Sequence, residues 1–205
     1  LINDVVYSNI SFNEPKCHIE NNNFSIFCIA DGIGLNKNGD MASRSVLNFI
    51  KDNRTRLLDI DTIMEVLFES KKFLDAQRAG NPSFTDFGST VAGLVIDEDR
   101  GFVFNCGDTR VYKSQKGFLQ KISHDHSIPQ QLFDSGQIEE DEMRIHPLKN
   151  IITSSISGDL KDKIPEIHIK DLKIPESCRF LLCCDGVWST MDSSTLEALF
   201  LENPI

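Results

Sequence analysis

Short, uniformly apolar runs in this chain alternate with longer stretches in which apolar residues recur at helical spacing. Phe24–Ala30, Val91–Ile96, Phe102–Cys106 and Phe180–Cys184 belong to the first kind and read as strands. Val5–Tyr7 is β-prone, Phe12–Lys16 is a turn around Pro15, Cys17–Ile19 fits a short strand and Asn21–Asn23 a hairpin turn. After a polar loop, Leu35–Asp40, the residues Ala42, Val46, Leu47, Phe49 and Ile50 share one helical face. Ile63, Val66, Leu67, Ser70, Phe73 and Leu74 share another, with Asp61 as its N-cap and Ala79–Pro82 as its stop. The runs Val91–Ile96, Phe102–Cys106, Val111–Lys113 and Phe118–Ile122 are joined by short turns and predict an antiparallel meander. Ile128–Arg144 reads as one polar helical segment broken by His146-Pro147. Asn150–Ser155 fits a strand or a short helix, Gly158–Pro165 a loop and Ile167–Leu172 a half-buried strand. A last helix opens near Ser193 or Ser194 and stops at Asn203-Pro204.

Two apolar runs end alike. Phe27-Cys28-Ile29-Ala30-Asp31-Gly32-Ile33-Gly34 is a buried strand that Gly32 and Gly34 terminate, and Phe180 to Trp188 repeats the device with Asp185-Gly186. Each places a carboxylate at the rim of a core. A third, Asp125, lies between His124 and His126. Hard divalent cations such as magnesium and manganese take oxygen ligands, and carboxylates at the ends of neighbouring strands can converge on them. A metal cluster of that kind turns water into a hydroxide aimed at an electrophile such as phosphorus. Spacing alone leaves a plain polar turn open, because Asp-Gly is also a turn dipeptide. His124-Asp125-His126 has no third ligand at zinc spacing and reads as a turn. Gly107-Asp108-Thr109-Arg110 could hold an anion through Arg110 or be a structural turn, and the structural role is preferred. No Walker A, GxSxG, HExxH or dinucleotide fingerprint is present.

Composition narrows the partners. The 205 residues carry a formal charge of -10, so bulk electrostatics do not draw the chain to nucleic acid or an anionic membrane. No apolar stretch reaches membrane-spanning length, and Leu1-Ile2-Asn3-Asp4 lacks the features of a signal peptide. The six cysteines show no paired metal-finger spacing, and Cys28, Cys183 and Cys184 sit inside apolar runs. Reduced thiols and a cytoplasmic location are expected.

Taken in order, the motifs resemble the metal-dependent protein phosphatases of type 2C in their bacterial form. Phe27–Gly34 resembles that family's apolar-Ala-Asp-Gly-Met-Gly-Gly, and Phe87-Gly88-Ser89-Thr90 its Gly-Thr/Ser-Thr strand start. Asn105–Tyr112 resembles its Gly-Asp-Ser-Arg-x-Tyr, and Ser123–Ser127 with Gly136-Gln137-Ile138 its Asp-His-Ser and Gly-x-Ile. His146–Thr153 resembles its His-Pro-x-x-Asn-x-Leu-Thr, and Leu181–Trp188 its Leu-Leu-x-Ser-Asp-Gly-Leu-Trp. Any one of these is common, whereas all of them in this order are specific.

The resemblance implies an α+β fold in which two antiparallel sheets pack as a sandwich flanked by helices. It implies a serine/threonine phosphatase that cleaves phosphoserine and phosphothreonine with a metal-bridged hydroxide, without a phosphoenzyme. Two Mn2+ or Mg2+ ions, with a third more weakly held, would be the cofactors. By position, Asp31 would bridge both metals, the Gly32 carbonyl would bind one and Asp185 the other, and Asp125 would reach the third; Asp31 and Asp185 are thus also the catalytic pair. Ile128–Pro147 would be a flap beside the site. Phosphoprotein substrates and a monomer are implied, with no nucleic-acid or membrane partner.

The departures shape the rival readings. Ile2-Asn3-Asp4 stands where the family has Asn-Glu-Asp, and its phosphate-gripping Arg would lie before residue 1. Ile33 replaces Met and Leu35 a glycine. The closing Asp-Asn-x-Thr strand has no counterpart before Ile205, so the chain is expected to be one domain over 1–205, trimmed at both ends. A pseudophosphatase that binds a phosphoprotein without turnover is the alternative, and a hydrolase of small phosphate esters is another.

Overall fold

The computed structural model describes residues 1–2, 5–7, 24–33, 37–85, 87–158, 163–175 and 177–202. The expected turn at Phe12–Lys16, the strand at Cys17–Ile19, the hairpin at Asn21–Asn23 and the position of Asp4 lie outside these residues.

Sheet A has the order β1 (Phe24–Ile33), β2 (Gly88–Asp97), β3 (Arg100–Cys106) and β7 (His168–Lys173), with the short β6 (Ile156–Ser157) also paired to β2. Sheet B has the order β5 (Phe118–Lys121), β4 (Arg110–Gln115) and β8 (Arg179–Cys183). All named pairings are antiparallel. Helices α1 (Lys37–Asp52) and α2 (Ile60–Gly80) pack with the residues of one face of sheet A.

The apolar runs are unbroken because sheet A is covered on both sides. Ile26, Cys28, Val91, Val95, Phe102 and Phe104 pack with Val46, Ile50, Val66 and Leu67 of the helices. Ala92, Leu94 and Val103, on the other face, pack with Val111, Phe180 and Leu182 of sheet B. That second cluster is the inter-sheet core, so the expected sandwich is present. At Gly93 an added Cβ would overlap the Phe104 ring and the Cys28 thiol. Gly93→Ala is therefore expected to destabilise the fold by about 1–3 kcal/mol through overpacking, read as a lower urea midpoint with an unchanged slope.

Several local expectations are corrected. Gly32 does not end β1: Asp31, Gly32 and Ile33 stay in the ladder opposite Thr90, Ser89 and Gly88. A strand rim can carry glycine when its neighbour needs the space, and here a Cβ on Gly32 would strike the backbone of Gly39 in α1. The second helix is capped by Asp59, not Asp61, because Asp59 accepts from the Thr62 amide in a reciprocal capping box. The segment Ile128–Arg144 is two helices, α3 (Ile128–Asp134) and α4 (Glu140–Ile145), divided at Gly136, whose φ of 71° stops the first. Within Asn150–Ser155 the backbone makes only a single bridge, Ile152 to Ser127. Asp185 opens a one-turn helix, α5 (Asp185–Trp188), and the chain continues into α6 (Ser193–Glu202).

Candidate metal centre

The two Asp-Gly devices sit on different sheets, and the sandwich brings them together. A carboxylate oxygen of Asp31, one of Asp185 and the Cys184 sulfur all lie within 4.8 Å of one another. Asp31 and Cys184 are half-buried. Burial first, then the charge of Asp185, raises the Asp31 carboxyl above its ordinary range, while a hydrogen bond from Cys184 and one from the Gly32 amide partly offset this. Two carboxylates held this close repel each other until a cation sits between them. The donor set, oxygen-rich and at the mouth of a cleft, fits magnesium or manganese.

The strand that carries Asp31 is latched to the turn at Gly107–Arg110. The Asp31 carbonyl accepts from Ser89 Oγ at 2.9 Å and from Thr90 Oγ1 at 3.4 Å, and Thr90 Oγ1 pairs with Thr109 Oγ1. Gly107 has φ +100°, and a Cβ there would strike the Thr90 side chain, so only glycine fits this close crossing. Its amide donates to His126 Nδ1 at 3.1 Å, and its carbonyl accepts from the His126 amide at 2.9 Å. That bond assigns the neutral His126 proton to Nε2, and burial holds this imidazole below its usual pKa.

Asp125 is not brought into the Asp31–Asp185 cluster. Asn105, fully buried, clamps residue 124 through both of its amide atoms and so presents Asp125 inward. Its carboxylate, 3% exposed, is then taken by Arg110, with Nη2 at 2.6 Å from Oδ2 and Nε at 2.9 Å from the same oxygen. Lys121 adds a contact at 3.6 Å. Burial works against the Arg110 charge, but Asp125 and the Tyr112 oxygen overcome it and hold the guanidinium above its ordinary pKa. Arg110 also lies 3.5 Å from the centroid of the Trp188 ring. Arg110 is thus committed to the protein interior, in line with the structural role expected of its turn.

The residue that sequence reasoning missed is Asp108. It is buried, and burial together with the charges of Asp125 and Asp185 pushes its carboxyl up to about 7. Its carbonyl accepts from Trp188 Nε1 at 2.9 Å, which ties α5, and so Asp185, to the turn. Its place inside a Gly-Asp-Thr-Arg turn looked structural. No signal in the turn itself marked the carboxylate, because its burial follows from contacts with distant segments.

A cavity of about 380 Å³ opens beside Asp31 and Gly32, lined also by Asp40, Ser43, Arg44 and Leu47. Arg44 is its single cation among the described lining residues, and its contact with Asp40 is a loose 3.8 Å. No helix among the described residues is long and apolar enough to cross a membrane.

Residues 8–202 match the family model described as Protein phosphatase 2C. The chain is 25% identical over 186 residues to the serine/threonine phosphatase stp of Listeria monocytogenes serotype 4b, covering 86% of this chain and 72% of that one. It is 28% identical over 185 residues to the serine/threonine protein phosphatase PstP of Mycobacterium tuberculosis, covering 85% of this chain and 34% of that one. The crystal structure of the M. tuberculosis phosphatase PstP/Ppp superposes with a TM-score of 0.74 at 23% identity, over 88% of this chain and 79% of that one. The catalytic domain of PstP in complex with two manganese ions gives 0.72 at 22% identity, over 93% and 82%.

Proposed function

The chain belongs to the protein phosphatase 2C family, and we infer that it is a metal-dependent phosphatase that removes phosphate from phosphoserine and phosphothreonine in proteins. The observation that carries this reading is the convergence of Asp31 and Asp185 from opposite sheets, where burial and the Asp185 charge both oppose ionisation of Asp31. A module that only bound a partner would gain nothing from holding two repelling carboxylates together.

Asp31, the Gly32 carbonyl and Asp185 would hold two Mn2+ or Mg2+ ions, with Asp31 shared between them as the resemblance implies. Such ions, when bound, acidify water to a strong nucleophile at neutral pH and offset charge on the phosphoryl oxygens. Asp108, facing Asp185, takes the outer carboxylate role that the resemblance assigned to Asp125, because Asp125 is already the counter-ion of Arg110. Ser89 and Thr90 hold the backbone of Asp31 in place, and Trp188 does the same for the helix that starts at Asp185. Arg44, on the wall of the adjoining cavity, supplies the positive charge that draws and orients the phosphate. The buried thiols Cys28, Cys106 and Cys183, each raised to about 12 by desolvation, are free; they support a reducing, cytoplasmic setting.

Phosphate release from a phosphothreonine peptide tests the reading. Release is expected with manganese and not with chelator. Arg44→Ala is expected to raise KM about tenfold with little change in kcat, as loss of a charged contact made equally in ground and transition states would. Tight peptide binding without release, in the presence of manganese, would replace the enzyme by the pseudophosphatase.

A further inference from the structure

The metal centre has a donor that the oxygen-based chemistry does not use. Cys184 stands between the end of β8 and the start of α5. Its sulfur lies within 4.8 Å of the ligand oxygens of both Asp31 and Asp185. Cys183, one residue earlier, faces the opposite way into the cluster of Tyr112, Trp188 and Leu196. Only Cys184 is therefore turned toward the carboxylates. In the motif that Leu181–Trp188 otherwise resembles, this position is Ser. The exchange replaces a weak, hard hydroxyl with a soft sulfur at the same place.

We propose that Cys184 is a third donor beside Asp31 and Asp185, so that this centre also accepts thiophilic divalent cations, zinc and cadmium, through one sulfur and two carboxylates. The proposal rests on the reading above that the two carboxylates hold divalent cations. Magnesium and manganese prefer oxygen and gain little from sulfur, whereas zinc and cadmium take thiolate readily. Zinc bonds sulfur at about 2.3 Å and carboxylate oxygen at about 2.0–2.2 Å. Ligand atoms on one such ion stand about 3–4 Å apart by that geometry, and the three donor atoms here already lie within 4.8 Å of one another. On binding, the sulfur–metal bond forms as the thiol proton passes to solvent. An ion held this way occupies the place of Asp31's manganese or magnesium and competes with it.

The test is cadmium titration of the metal-free protein, followed by the ultraviolet sulfur-to-cadmium charge-transfer absorption. Manganese binding is read in parallel from the spin-resonance signal of the free ion. The parent is expected to show a saturating band that Cys184→Ser loses and Cys178→Ser keeps. Cys184→Ser is also expected to weaken cadmium binding about tenfold or more, in the range that loss of a supporting group costs a metal site, while manganese affinity changes much less. A band that survives Cys184→Ser overturns the proposal, as does a parent that takes up manganese without any band. If the parent binds neither ion, the metal-centre reading falls and the sulfur donor falls with it.

Discussion

Asp31→Asn is expected to abolish metal-dependent phosphate release while leaving the fold intact or firmer. On the function proposed above, Asp31 would be the carboxylate shared by both ions. Its loss should cost well over the ~10–100-fold that follows removal of groups lying only behind metal ligands. The stability side has the opposite sign. In the metal-free protein Asp31 is partly buried against Asp185, and both burial and that neighbouring charge oppose its ionised form. An amide of the same shape removes the repulsion and keeps a hydrogen-bonding group for Cys184. The metal-free variant should therefore melt at or above the temperature of the metal-free parent. Manganese should raise the melting temperature of the parent, since a ligand that binds only the native state stabilises it, and should raise that of the variant far less. Undiminished turnover in the variant would remove Asp31 from the site. A variant that fails to fold would instead give it a structural role.

Arg110→Met is expected to have the largest effect on stability. The guanidinium and the Asp125 carboxylate are both largely removed from solvent, and their contact reaches both oxygens, Nη2 to Oδ2 at 2.6 Å and Nε to Oδ1 at 3.2 Å. Removing Arg110 leaves the buried Asp125 carboxylate with only the longer Lys121 contact at 3.6 Å, which costs up to about 3–5 kcal/mol. The same substitution removes the charge stacked on Trp188, whose indole anchors the helix that begins at Asp185. Denaturation in urea should show a much lower midpoint. Asp125→Leu should be similarly harmful, whereas the double variant Arg110→Met with Asp125→Leu should regain part of the loss, because an apolar pair replaces the ion pair while Lys121 loses its carboxylate and keeps Gln130 Oε1. This cycle also tests the role of Asp125. As the counter-ion of Arg110, it can be replaced in the double variant without loss of manganese affinity. If manganese binding fails in the double variant while its fold is recovered, Asp125 is a metal ligand as the resemblance implied.

The parts of this protein legible in its sequence are those set by local pattern and by order along the chain. β1, β2, β3 and β8 are apolar runs too short for helices, and α1 and α2 carry an apolar face at helical spacing. Their apolar residues are the ones that the fold buries between the helices, sheet A and sheet B. The Asp-Gly pairs after two such runs were visible for the same reason, and their order among the other motifs pointed to the family. What remained hidden depends on contacts between distant segments. Nothing in Ser123–Ser127 says that Asp125 meets Arg110, because that meeting requires Asn105 to clamp residue 124 from another strand. Nothing in Gly107–Arg110 says that Asp108 meets the charge of Asp185, because the turn precedes β4 and Asp185 follows β8, and those strands pair only in the folded sheet B. The break at Gly136 and the continuation of β1 through Gly32 were likewise decided by backbone angle and by the close approach of Gly39. By itself, the sequence determined which elements form and which carboxylates stand at strand ends. Tertiary structure decided which of those carboxylates repel one another and which are neutralised by a cation, since charge interactions depend on distance in space and carry no period along the chain.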